Sequence, residues 1–132
     1  MLLCFCSEII SATTVRTTGS LDIRLVGGTN SSKVYNGRVE IRQAQGNWGT
    51  ICDDSFDNRD ALVICRMLGY QYGRSIASTH FGQGTGDIFM DDVNCAGNES
   101  NILACGYSGW GRHNCNHRED VGVECSLERG GY

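Results

Sequence analysis

The chain has 132 residues, a formal charge of −4 and a sequence pI near 5.2, with 18 glycines and no proline. That length supports one domain with tails and a modest core. The acidic balance, without a basic block, excludes nucleic-acid binding by bulk charge and suits cations or basic partners, and no apolar run reaches the roughly 20 residues that span a bilayer.

In chain order, residues 1–18 are apolar, then small and polar, and read as a signal-peptide-like or disordered leader carrying Cys4 and Cys6. The domain proper is expected over 19–126. Ile23–Val26 reads as a first strand closed by Gly27-Gly28, and Thr29–Asn36 as a loop with a glycosylation sequon at Asn30. Gly37–Gln43 alternates: Val39 and Ile41 face one way, while Arg38, Glu40 and Arg42 face the other. A turn at Gln45-Gly46-Asn47 then leads into strand Trp48–Cys52. After Asp53-Asp54 the period becomes helical. Ala61, Leu62, Ile64, Cys65 and Leu68 share a face of a helix over Asn58–Leu68, with Asp57 or Asn58 as cap, Asp60 in its first turn and Gly69 at its end.

Tyr70–Ser78 reads as loosely extended, and Phe81–Gly86 as a flexible glycine-rich surface loop. That loop is no dinucleotide fingerprint, because Ile88-Phe89-Met90 after it is strand-like rather than helical. Asp91-Asp92 then precedes Cys95 as Cys52 precedes Asp53-Asp54, each time pairing two acids with a cysteine. A second sequon lies at Asn98, Asn101–Cys105 suits a short helical turn, and Val121, Val123 and Cys125 alternate as a closing strand. Residues 127–132 read as a tail or linker.

Of the eight cysteines, the six at 52, 65, 95, 105, 115 and 125 are widely spaced and contain no CxxC pair. In a small glycine-rich domain they read as a disulfide framework formed in an oxidising compartment, with fifteen pairings open to arithmetic alone. The segments IRLVGG, GRVEI, WGTICDD, DALVICRMLGY, GQGTG, MDDVNCAGNES, CGYSGWGRHNC and HREDVGVEC follow in the order found in scavenger receptor cysteine-rich (SRCR) domains. The resemblance covers about Ile23–Ser126. Tyr35 and Tyr70 stand where the eight-cysteine group carries an extra pair, so the chain resembles the six-cysteine group A. The resemblance implies an α+β fold, a curved antiparallel sheet cradling one helix, stapled by Cys52–Cys115, Cys65–Cys125 and Cys95–Cys105. Where the family often has proline in the glycine-rich loop, this chain has Thr85 and Asp87.

Hard oxygen donors converging from separate loops are what calcium or magnesium requires. By resemblance, Asp53, Asp54 and Glu119 would form one cation site, and Asp91 and Asn114 part of a second. The competing reading makes these acids helix caps or partners of Arg59, Arg112 and Arg118. A bound cation would turn the acidic patch into an anchor for anionic ligands. The strand bearing Arg38 and Arg42 resembles a segment that recognises bacterial surfaces in some family members, although it is one residue longer before Trp48. Val39, Ile41 and Trp48 are expected in the core, leaving the two arginines as exposed ligand-binding candidates. His113-x-Cys115-x-His117 is a poor zinc site because a disulfide cysteine offers no thiolate. Glu40 and Asp92 could pair as acid and base, but no motif places them around a pocket. No enzyme is expected.

The expected function is therefore an extracellular ligand-binding module, secreted or the ectodomain of a membrane protein, that captures anionic microbial or host glycans and proteins. Membrane association would come only through further chain. The alternatives are a metal-independent adhesion module that binds other extracellular proteins, or an accessory domain of a lysyl-oxidase-like or serine-protease enzyme.

Overall fold

A computed structural model describes residues 15–18, 21–77 and 80–129. Most of the leader, including Cys4 and Cys6, and the last three residues lie outside these. Among the described residues, seven strands form one curled, mostly antiparallel sheet: β1 Arg16–Thr18, β2 Leu21–Val26, β3 Val34–Gln43, β4 Gly49–Ile51, β5 Tyr72–Ile76, β6 Asp87–Met90 and β7 Gly122–Ser126. The helix α1 spans Asn58–Met67.

Strand β3 is the spine. It pairs with β2 along Val26↔Arg38 to Leu21↔Gln43, and its other edge is shared by β7 at Val34–Arg38 and β4 at Glu40–Ile41. It begins three residues earlier than the alternation alone marks, because Val34, Tyr35 and Asn36 find partners on β7. Tyr35, Val39 and Ile41 point inward with Leu21, Ile23 and Leu25 of β2, and meet Ala61, Val63, Ile64 and Met67 of α1. Burying one large apolar side chain is worth about 1.5–3 kcal/mol, so this two-layer core holds helix to sheet.

Asp57 caps α1 by accepting the Arg59 N–H at 2.9 Å, while Asp60 reaches back to the Asp57 N–H at 2.7 Å, closing a capping box. Gly69 follows with φ +94°, the left-handed geometry that ends a helix. Tyr35 and Tyr70 lie in ring contact, with centroids 6.2 Å apart. Disulfides join Cys52 to Cys115, Cys65 of α1 to Cys125 of β7, and Cys95 to Cys105.

Other boundaries also differ from the sequence expectation. Arg16–Thr18, read as leader, hydrogen-bonds along β2 as an edge strand. Tyr72–Ile76 is a regular strand paired with β7 rather than a loose extension. The β3–β4 turn closes one residue early: the Gly46 N–H donates to Gln43 O at 2.8 Å, and Ala44 and Gln45 take φ of +48° and +62°. The tail is tied down at its start, where the Leu127 N–H donates to Lys33 O at 3.2 Å.

Candidate functional site

The end of β4 lies between two backbone partners. The Cys52 N–H donates to Met90 O at the end of β6 (2.9 Å), and the Asp53 N–H donates to Glu119 O (2.7 Å). The three acidic segments, 53–54, 91–92 and 119, are therefore brought together by main-chain bonds, and the Cys52–Cys115 disulfide draws in Asn114. Strand β6 runs parallel to β4 with a register shift between Thr50 and Ile51, so the acids after each strand leave from one end of the sheet.

Carboxylate oxygens of Asp54 and Glu119 approach within 4.8 Å of each other, and those of Asp54, Asp91 and Asp92 do so as a second group. Two oxygens bound to one calcium at 2.3–2.6 Å stand no more than about 5 Å apart, so each group fits a single ion. Asp54 belongs to both. Sulfurs of Cys52 and Cys115 lie beside the first group, but they are disulfide-bonded and supply no thiolate. The donors that remain are all carboxylates, a set that favours calcium or magnesium over zinc.

Desolvation and then the charges of Asp91, Glu119, Asp53 and Asp92 push the Asp54 carboxyl above its ordinary range. Among the described residues no ion pair involves Asp54, Asp91, Asp92 or Glu119. Arg59 takes Asp57 instead, at 3.1 Å. Asp91 is 2% exposed; its Oδ1 accepts the Asp92 N–H (2.8 Å) and its Oδ2 the Asn114 N–H (3.4 Å). Glu119 also accepts the Asn116 N–H at 3.0 Å, capping the 3-10 turn His117–Glu119. Asp53 contributes charge to Asp54, but its carboxylate lies in neither converging group. Asp92 joins in its place, with φ +55°. Asp tolerates that left-handed geometry better than most residues. The only sequence signal for Asp92 was its adjacency to Asp91.

The arginine candidates stand differently from their expectation. The Arg38 side chain is 12% exposed, held by Glu40 at 3.0 Å and by the carbonyls of Phe81 and Gly82. The Arg42 side chain is 26% exposed and pairs with Asp22 at 2.7 Å. Trp48 is not in the core. It lies on the outward face, with the guanidinium groups of Arg24 (4.1 Å) and Arg42 (4.3 Å) over its ring. Arg24, which the strand pattern left unassigned, also binds Glu40 at 2.6 Å. Glu40 is thus neutralised by two arginines, which removes it as an acid–base partner for Asp92. His113 is exposed, and its Nδ1 accepts the Cys115 N–H at 3.0 Å. Asn30 and Asn98, the two sequon residues, are exposed.

The profile of the scavenger receptor cysteine-rich domain matches residues 29–126. The Macrophage receptor MARCO of Mesocricetus auratus is 53% identical over 104 residues, 79% of this chain and 20% of the receptor; that of Mus musculus is 51% identical over 104 residues, covering 18% of the receptor. The chain therefore spans about a fifth of these relatives' length. Among solved structures, the dimeric form of the SRCR domain of mouse MARCO superposes with a TM-score of 0.66 at 48% identity, covering 75% of this chain and 94% of that one. The third SRCR domain of murine Neurotrypsin does so with 0.69 at 48% identity, covering 80% and 95%.

Proposed function

The chain belongs to the scavenger receptor cysteine-rich family, and from that premise we propose that it captures anionic ligands through a calcium or magnesium ion held at the Asp54 corner. The domain is an extracellular, non-enzymatic ligand-binding module. Asp54 and Glu119 would hold one ion, with Asp53 beside them. Asp91 and Asp92, with Asn114 alongside, would hold a second or share the first. A bound cation supplies positive charge to an acidic surface, so that carboxylate, sulfate or phosphate groups of a ligand can complete its coordination. The three disulfides of the six framework cysteines support assigning the module to group A.

One observation carries this reading: carboxylates that repel one another converge without a cationic partner among the described residues. A second reading has its own support. The Arg24–Trp48–Arg42 stack presents two partly exposed guanidinium groups on the sheet's outward face, which suits metal-independent contact with an acidic partner.

The test is binding of the oxidised full chain to immobilised dextran sulfate, in calcium and in EDTA, with Asp54→Asn alongside. Binding lost both in EDTA and in the variant supports cation-bridged capture. Binding unchanged in both refutes it and moves the function to the arginine face.

A further inference from the structure

The glycine-rich loop Phe81–Gly86, expected to be a flexible surface segment, is fastened at three points. Arg38 Nη1 donates to Phe81 O (3.2 Å) and Gly82 O (3.3 Å). The Gly84 N–H donates to Asp120 Oδ2 (2.7 Å), and His117 Nε2 lies 2.9 Å from Gly86 O. The loop is a strap, and its middle anchor is a carboxylate only 1% exposed. Asp120 also accepts the Thr50 hydroxyl at 2.7 Å and lies 2.9–3.1 Å from His117 Nδ1. End of β4, strap and 3-10 turn thus meet on one side chain.

That side chain directly follows Glu119. Around it the main chain is held as well: the Asp53 N–H by Glu119 O (2.7 Å), the Val121 N–H by Ile51 O (2.9 Å) and the Asp120 N–H by His117 O (3.3 Å). The position of Glu119 relative to Asp54 therefore depends on how firmly the segment 117–121 is clamped to β4. A buried carboxylate without hydrogen-bond partners, or a buried donor without an acceptor, is costly, so Asp120 and the Thr50 hydroxyl, Gly84 N–H and His117 ring that face it hold one another in place.

We propose that Asp120 is a positioning residue of the ligand-capture site, clamping the glycine-rich strap to the turn that carries Glu119. This inference rests on the cation reading of the Asp54 corner. Gly84 is required by close approach: a Cβ there would stand 2.7 Å from Thr50 Cγ2 and 3.1 Å from both Arg38 Nε and Asp120 Oδ2. A methyl group at Gly84 therefore pushes the strap off Asp120 while leaving every site acid in the sequence.

The experiment is calcium titration calorimetry on the oxidised full chain and on Asp120→Asn and Gly84→Ala, at a temperature where circular dichroism shows each to be folded. Residues that orient metal ligands from behind are worth about 10–100-fold in affinity, and a loss of that order is expected in both variants. Variants that melt earlier yet bind calcium as the wild type does would make Asp120 a stability residue only and overturn the proposal. If Asp120→Asn does not fold, Gly84→Ala decides by the same criterion. Absence of calcium binding by the wild type would instead overturn the cation reading, and this inference with it.

Discussion

Asp54→Asn should stabilise the ion-free protein and remove its response to calcium. Oxygens of Asp54 lie within 4.8 Å of those of Glu119 in one group and of Asp91 and Asp92 in the other. Two unit charges at that separation repel by about 0.9 kcal/mol in a water-like dielectric, and physiological salt reduces this to roughly half. Three such neighbours, Asp91 buried, Glu119 half-buried and Asp92 exposed, leave a net relief of about 1 kcal/mol when Asp54 becomes neutral, or about 3–5 °C in melting temperature for a domain of this size. The sign with pH is fixed by linkage. A carboxyl whose pKa is raised on folding takes up its proton more readily in the folded state, so its repulsion is present above the folded pKa and relieved as pH falls through it. The gap between variant and wild type should therefore close toward acid pH. In calcium the order reverses, since an ion at a hundredfold excess over its dissociation constant stabilises the wild type by about 2.7 kcal/mol. Differential scanning calorimetry in EDTA and in calcium, on both proteins, reads all of this. A variant less stable than wild type in EDTA, or one that keeps the full calcium shift, would refute the reasoning.

Three further outcomes are expected. Burial pulls the His117 imidazole down, but its hydrogen bonds to Gly86 O and Asp120 and the Asp120 charge outweigh burial and the nearby Arg38, so its pKa stands above the ordinary value. Its stabilisation is then fully present below about pH 6.5 and lost as pH rises through the folded pKa; urea midpoints in EDTA should separate wild type from His117→Asn most at low pH. Replacing Cys65 and Cys125 by alanine opens a bridge of sequence separation 60, which loop entropy values at about 4 kcal/mol. The Cys95–Cys105 bridge, of separation 10, is worth about 3 kcal/mol by the same arithmetic, and denaturant titrations would rank them. Trp48→Ala releases two stacked guanidinium groups and should cost about 1–2 kcal/mol without changing calcium affinity in calorimetry, because the stack lies on β2 and β3 rather than at the acid corner.

The strand alternation of 37–43 and the helical spacing of 61–68 each name an inward face, and Val39, Ile41, Ala61 and Ile64 are buried as those periods require. Periodicity says which side of a strand a residue is on, but not what lies across from it. Arg38, Glu40 and Arg42 do point away from the core, yet Glu40 is 6% exposed, because the register that sets Arg24 opposite Glu40 and Asp22 opposite Arg42 covers that face with ion pairs. Alternation alone therefore overstates the exposure of both arginines, and it puts Trp48, large and apolar, in the core, although two guanidinium groups hold it outside. The same gap hid the strap. Nothing in Phe81–Gly86 itself indicates that Arg38, His117 and Asp120, from three other segments, will bind its backbone. The disulfide pairs, too, are implied by the family resemblance rather than by spacing, which allows fifteen choices. Partnering is also what divides the acids. Asp22, Glu40 and Glu124 each meet an arginine across a strand pair, and their charge is settled within the fold. Asp54, Asp91, Asp92 and Glu119 sit where β4, β6 and the 3-10 turn end, beyond the reach of cross-strand pairing, and meet one another instead. A fold that pairs carboxylates with arginine along its strands and gathers others at their ends concentrates unpaired negative charge there, and the divalent cation proposed for that corner would offset it with the fewest particles.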